Sequence, residues 1–377
     1  MTEPEPLQQI DRTYVLFRGR KLSYFSGCDY FRLASDPEVL KAARDGTNQF
    51  GLNVAASRLT TGNHALYRKL EKKLAEFFAA PDALLVSAGY VANLIVAQGL
   101  AGTFSHALID ERAHVSLFDA AQLLDCPVLQ FKHRNVSELR RAAERCGPGA
   151  RIILLTDGMF ACDGSIAPLR SYLTVLPRSA LMVVDDAHGA GVLGTTGKGT
   201  LEVEKVGRSR VIQTITLSKA FGTYGGAILC KSALRTTIIK RSRLFIGSTP
   251  LPLPLANATL KALSIFKARA VLTSGGGMRQ KLINNLAYLR LGLLSAGVKH
   301  AQLNGPILSL QVRRNSEGAA LRGALLRGGI YPPFIQYPCG PANGFFRFVI
   351  SSEHSKQQLD SLVSVLSRFR EGMVPES

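Results

Sequence analysis

Between residues 83 and 231 the chain alternates short apolar runs with stretches of helical character. The runs are Ala83–Ser87, His106–Asp110, Pro127–Phe131, Arg151–Thr156, Leu181–Asp185, Val211–Leu217 and Ala227–Cys230, and several are apolar on successive residues rather than on every second one. Strands buried on both faces read that way, so the pattern predicts an α/β fold with a mostly parallel central sheet and helices on both faces. Ahead of it, Ala65–Phe78 carries Leu66, Leu70, Leu74 and Phe77 at helical spacing with Lys and Glu opposite, which predicts an amphipathic helix.

The pattern changes at Pro250, Pro252 and Pro254, which cannot continue a helix or a central strand. A helix is expected from Leu255 to Ala270, running into Gly275-Gly276-Gly277. Beyond it, a helix at Met278–Leu294, strands at Ile307–Val312 and Phe345–Ile350 and a closing helix at Ser355–Phe369 predict a smaller α+β domain. The expected division is an N-terminal arm (1–38), a large α/β domain (39–266) and a small C-terminal domain (267–377).

Composition agrees with a packed fold: 46% of the 377 residues are hydrophobic and 19% charged, far from the composition of disordered chains. No run approaches the roughly 18 apolar residues of a membrane span, and the start MTEPEPLQQIDR has neither a basic nor an apolar leader segment. Six cysteines, Cys28, Cys126, Cys146, Cys162, Cys230 and Cys339, show no CxxC spacing, so neither a metal site nor a disulfide scaffold is expected. A cytoplasmic protein without a membrane partner fits these features. The formal net charge of +19 favours polyanions, but Lys and Arg are spread thinly and no RGG, RNP or finger pattern accompanies them, so no nucleic-acid partner is expected.

In open α/β sheets ligands sit at the carboxyl ends of the strands, and four such places carry polar residues. Asp185-Asp186-Ala187-His188 follows one buried run, and Thr216-Leu217-Ser218-Lys219 places a lysine on the turn after another. Ser87-Ala88-Gly89-Tyr90-Val91-Ala92-Asn93 reads as strand, tight turn and helix start, an arrangement that attracts anions. His114 comes four residues after Asp110 and opens a helix. Each has a plainer reading: a strand ending in solvent, a solvated lysine, a turn that binds nothing, a packed histidine. Gly189-Ala190-Gly191-Val192-Leu193-Gly194 matches G-x-G-x-x-G, but no helix pattern follows, and Gly197-Lys198 lacks the spacing of a P-loop.

One chemistry unites the four places. Pyridoxal phosphate needs a lysine for its Schiff base, a carboxylate to keep the pyridine nitrogen protonated, an anion site for its phosphate and a flat side chain against its ring. Lys219, Asp185, the Gly89-Tyr90 turn and His114 supply these in turn.

From Tyr24 to about Phe369 the sequence resembles the α-oxoamine synthase family of fold-type-I pyridoxal-phosphate enzymes. The likeness rests on Tyr24 to Tyr30, Ala56-Ser57-Arg58, Leu70-Glu71, Ser87 to Asn93, Asp110 to Leu117, Asp163-Gly164 with Ala167-Pro168-Leu169, Val184 to Gly194, Thr216 to Gly222 and Ser351 to His354. It implies that Lys219 carries the Schiff base, Asp185 pairs with the pyridine nitrogen, His188 with the phenolic oxygen, and His114 stacks on the ring and helps handle protons. Backbone N–H groups of Gly89 and Tyr90 and the Thr216 hydroxyl would hold the phosphate, with Ser248 or Thr249 reaching that of the neighbouring subunit in a homodimer. The implied reaction joins a small amino acid, L-alanine favoured, to an acyl-CoA or acyl carrier protein, a pimeloyl thioester favoured as in biotin synthesis, with loss of CO2.

Three positions depart from the family pattern. Cys28 stands where the family has Asn, Ala161 where it has Ser, and Phe345 where the first of two arginines in Arg-x-Arg is expected. That arginine would clamp the substrate carboxylate, so Arg347 is the candidate replacement, with Arg58 and Arg20 as alternatives. The departures motivate a second reading, a diverged enzyme of secondary metabolism with another amino acid or acyl donor. A third, a nucleic-acid-binding or scaffold protein that has lost catalysis, has only the charge behind it, and anionic acyl carriers account for that charge as well.

Overall fold

A computed structural model describes residues 5–271, 277–298, 305–336 and 343–369. Gly275, Gly276 and Cys339, read from the sequence above, lie outside the described residues. The chain divides into two compact units: the described residues of 1–35, 162–165 and 269–377 form the smaller, and 36–161 with 166–268 the larger.

In the smaller unit, β1 (Gln8–Gln9), β2 (Tyr14–Phe17) and β3 (Arg20–Ser23) form an antiparallel sheet. The larger unit is built on seven strands: β4 (Asp82–Val86), β5 (His106–Asp110), β6 (Val128–Phe131), β7 (Ile152–Asp157), β8 (Leu181–Asp185), β9 (Val211–Thr216) and β10 (Gly226–Cys230). Their order is β4-β10-β9-β8-β7-β5-β6, and only β10 runs against its neighbours. The smaller unit is completed by β11 (Ile307–Gln311), β12 (Phe334–Ile335) and β13 (Phe345–Val349), in the order β11-β13-β12.

Continuous apolar runs form these central strands because each strand has a core on both faces. Leu155, Val183 and Ile212 pack on one face with Ala92, Ile95 and Val96 of the helix Gly89–Gly99. Leu154, Met182 and Val211 pack on the other with Leu139, Leu169 and Tyr172. The one parallel edge this creates carries the ends of β5, β7, β8 and β9, and the β10 reversal returns β4 in the same direction, so its following turn joins that edge.

The helix Ala65–Phe78 forms where the periodicity predicts it. The helix expected from Leu255 begins at Leu253, because Pro254 falls in its first turn, where the missing N–H has no intrahelical partner to lose. The hairpin β2–β3 and the helix Pro37–Phe50, capped by Asp36 with Pro37 at its first position, were not anticipated. The hairpin turn rests on Arg18 and Gly19, both at positive φ, and only Gly19 advertises it.

Ser351-x-x-His354 anchors the smaller unit. His354 Nδ1 accepts from the Ser351 N–H at 3.0 Å, leaving Nε2–H to donate to the Tyr24 carbonyl at 3.1 Å, and the ring stacks on Phe25. Burial, and then the Arg32 guanidinium, push this imidazole down to about 3. The unfolded chain takes up a proton near pH 6.5 that the folded chain refuses, so this contribution to stability is whole above pH 6.5 and is lost as pH falls toward 3. The expected loss is at most about 1.4 kcal/mol per pH unit. In urea unfolding series across that range, His354→Gln should give a shallower pH dependence than the parent protein; an unchanged slope would refute the buried neutral imidazole.

Candidate active site

Strand register decides which polar side chains meet. Asp157 pairs with Asp185 across β7 and β8, and Asp185 with Thr214 across β8 and β9, so the three form one row. Alternation places this row on the sheet face that holds Leu155, Val183 and Ile212, toward the helix Gly89–Gly99.

Asn93, one turn into that helix, organises the row. Its Nδ2 donates to Asp185 Oδ2 at 2.6 Å and to Ser116 Oγ at 2.9 Å, and its Oδ1 accepts from Thr214 Oγ1 at 2.6 Å. Asp185 Oδ1 accepts from the Ala187 N–H at 3.0 Å, so both of its oxygens have donors although the residue is buried. Ser116 Oγ lies 2.7 Å from His114 Nδ1, which also accepts from the Ser116 N–H as it caps the helix Val115–Gln122. An Nδ1 with two donors is unprotonated, which assigns the proton to Nε2 in neutral His114. Lys219 Nζ and His188 Nε2 are 2.6 Å apart, with His188 buried.

At the start of the same helix, Ala88 occupies the cap without a side-chain hydrogen bond, and the backbone turns tightly against β9 and β10. A Cβ on Gly89 would lie 2.7 Å from Thr216 Cβ, and one on Gly226 would lie 2.8 Å from the Ala88 carbonyl oxygen. Only glycines let the uncapped helix start approach the Thr216 hydroxyl, which lies 2.7 Å from Ser218 Oγ. An uncapped helix start beside two hydroxyls suits a phosphate. Tyr90 donates its phenol proton to Asp119 and sets its ring edge-on to His114; that hydrogen bond, with burial, pushes the phenol up to about 12.

The other sequence candidates fall elsewhere. Arg58, an expected alternative for a substrate carboxylate, is buried and engaged within the framework: Nη1 donates to Glu71 Oε1 at 2.5 Å, while Nε and Nη2 donate to Asn63. Glu71 also accepts from Arg68, Arg235 and the Leu85 N–H, and these partners outweigh burial to hold its carboxyl below the usual range. The Arg58 and Leu70-Glu71 segments of the resemblance are therefore one internal ion pair. Asp186 is likewise structural: Thr200 and Gln213 donate to it, and Gly158, Gly189 and Gly199 leave room for its carboxylate. Burial pushes that carboxyl up to about 6. Ser248 donates to the Leu244 carbonyl at the end of its own short helix.

Arg347, Cys28 and Arg20 belong to the smaller unit. Arg347 sits on β13 on the same face as Phe345, since the two are two residues apart. The buried Tyr30 phenol feels both candidates: burial chiefly, then Cys28, raise it, and Arg347 works against them. Arg20 donates to the Leu326 carbonyl at 3.0 Å at the surface.

Asn93, Ser116, Asp157 and Thr214 escaped assignment from sequence. Asn93 closes the quoted Ser87–Asn93 segment one helical turn after Gly89, Ser116 falls within the quoted Asp110–Leu117 segment, and Asp157 directly follows an apolar run, so positional signals existed; Thr214, inside a run, had none.

The donor set fits pyridoxal phosphate: an amine, a doubly supported carboxylate, a flat imidazole and a glycine-lined helix start on one sheet edge. Gly89→Ala would force its Cβ into Thr216. Overpacking of this kind costs about 1–3 kcal/mol, and absorbance titration should show pyridoxal phosphate binding weakened about tenfold; parent-like binding would exclude Gly89 from the phosphate site.

The model of the class I and II aminotransferase family matches residues 28–366. The 8-amino-7-oxononanoate synthase of Thioalkalivibrio sulfidiphilus is 36% identical over 357 residues, 94% of this chain and 90% of that protein. Sphingomonas wittichii serine palmitoyltransferase superposes with a TM-score of 0.89 at 25% identity, covering 99% of this chain and 94% of that one. The 8-amino-7-oxononanoate synthase of Francisella tularensis superposes with a TM-score of 0.78 at 23% identity, covering 93% and 98%. The chain thus belongs to the α-oxoamine synthase family of fold-type-I pyridoxal-phosphate enzymes, which condense an amino acid with an acyl thioester and release CO2.

Proposed function

We propose that this enzyme is a diverged α-oxoamine synthase whose preferred substrates differ from L-alanine and a pimeloyl thioester in the amino acid, the acyl donor or both. The observation that carries this reading is the replacement of the family's Asn and first Arg by Cys28 and the buried Phe345. Of the two arginines in that motif only the second, Arg347, is present, two residues or about 6–7 Å along the strand from Phe345. Arg347 would then hold the substrate carboxylate without its neighbour, and a changed clamp suits a changed substrate. A fold likeness to serine palmitoyltransferase at least as strong as that to the Francisella enzyme supports the same reading. The 36% identity to the Thioalkalivibrio enzyme favours the alanine and pimeloyl pair, which is the second reading.

In either case the residues share the work in one way. Bound pyridoxal phosphate supplies the electron-withdrawing ring that stabilises charge at the amino acid Cα. Asp185, with a donor on each oxygen, is suited to keep a proton on the ring nitrogen. Lys219 is the group to take the Cα proton and return one at the end, with His188 beside it to share that proton. His114, fixed in one tautomer by Ser116, offers its flat face to the ring. The new C–C bond forms between Cα and the thioester carbonyl carbon, the thiolate leaves and is protonated, and the carboxylate departs as CO2. We further propose a cytoplasmic homodimer in which Ser248 and Thr249 serve the partner's phosphate, and a basic surface that attracts CoA or an acidic carrier protein.

Thiol release measured across a panel of alanine, serine and glycine against acyl-CoA and acyl carrier protein donors of several lengths tests the reading. The highest kcat/KM should fall outside the alanine and pimeloyl pair, and Arg347→Lys should raise the amino acid KM about tenfold with a smaller effect on kcat. A clear optimum for alanine with a pimeloyl thioester would overturn it.

A further inference from the structure

Asp157 ends β7 with 3% exposure, beside Asp185 in the strand register, and has no role in the reading above. Its Oδ2 accepts from the His114 N–H at 2.7 Å. A closed chain of contacts therefore runs from Asp157 through His114, Ser116 and Asn93 to Asp185, with the two carboxylates as register neighbours.

Two buried carboxylates at neighbouring positions cannot both stay ionised without strong support. Asp185 has donors on both oxygens, from Asn93 and Ala187, whereas among the described residues Asp157 has the one donor His114 N–H. Asp110, at the end of the next strand, is served by the N–H groups of Arg112 and Arg134 and by His133.

We propose that Asp157 is a positioning residue that serves as an uncharged acceptor, tethering the backbone of His114 while leaving Asp185 as the ionised carboxylate of the pair. The groups facing it agree. Burial, then Asp185, push the Asp157 carboxyl well above the ordinary range, Asp110 adds to this, and the His114 N–H and Lys219 oppose it. The tether explains why the entry to a catalytic helix is anchored on a residue that need not touch substrate: shifting His114 would move both its imidazole and the Ser116 cap.

The inference rests on the pyridoxal-phosphate site, so the experiment separates the two. Asp157→Asn keeps the shape and the acceptor oxygen without charge; Asp157→Ala removes the acceptor. In the holoenzyme the Asn variant should keep the cofactor affinity and the pH dependence of the visible band, and the Ala variant should bind cofactor about tenfold more weakly. In the 15N-labelled apoprotein, the His114 amide, assigned with His114→Gln, should keep its downfield shift in the Asn variant and lose it in the Ala variant. An Asn variant as impaired as the Ala variant, a displaced pH profile in the Asn variant, or an Ala variant indistinguishable from the parent would each overturn the proposal. Should the Ala variant not fold, the Asn variant alone decides. Loss of the visible band only in Lys219→Ala would uphold the cofactor site whatever the Asp157 variants do.

Discussion

A carboxylate buried at the end of a parallel strand has to be supplied with donors or with a proton, and the site is arranged around that requirement at Asp185. Its neighbours in the row are another carboxylate, Asp157, on one side and Thr214 on the other. Asn93 meets the need on the helix side, and Thr214 fixes the orientation of the Asn93 amide so that Nδ2 points toward the carboxylate. The helix that carries Asn93 starts at Gly89, so the element that supports Asp185, the proposed ring-nitrogen partner, also presents the proposed anion site. At that start the backbone packs so closely on Thr216 that a Cβ on Gly89 would lie 2.7 Å from Thr216 Cβ.

Much of this was legible in the sequence for a physical reason. Strands covered on both faces must be apolar throughout, so β5, β7, β8 and β9 stood out, and Lys219, Asp185, His188 and His114 were conspicuous as polar residues directly after or between such runs. The less legible features depend on tertiary pairing. Nothing in a linear pattern says that Asp157 will lie beside Asp185, because the two are joined only by strand register. Arg58 reads as an available cation until Glu71 and Asn63 are seen around it. The hairpin of Tyr14–Phe17 and Arg20–Ser23 was hidden because Arg18 takes a positive φ that the residue type does not announce.

The two units contrast in how they hold polar groups. In the larger one, ionisable side chains pair within closed sets, as in Arg58–Glu71–Arg235 and Asp186–Thr200–Gln213. In the smaller one, buried polar side chains tie distant backbone segments, with Arg32 on the Tyr24 carbonyl and His354 on the same group. The family departures at Cys28 and Phe345 fall in this second setting, where Tyr30 senses both Cys28 and Arg347. The third departure, Ala161, lies in the larger unit, which also holds Lys219, Asp185, His188 and His114.

The central proposal is that Asp185 pairs with the cofactor's ring nitrogen and keeps it protonated. Pyridoxal phosphate labelled with 15N in the ring, bound to the protein and observed by NMR near neutral pH, reports that directly. A protonated ring nitrogen in the parent protein that loses its proton in Asp185→Asn is the predicted result; an unprotonated nitrogen in the parent, or one unaffected by the substitution, would contradict the account.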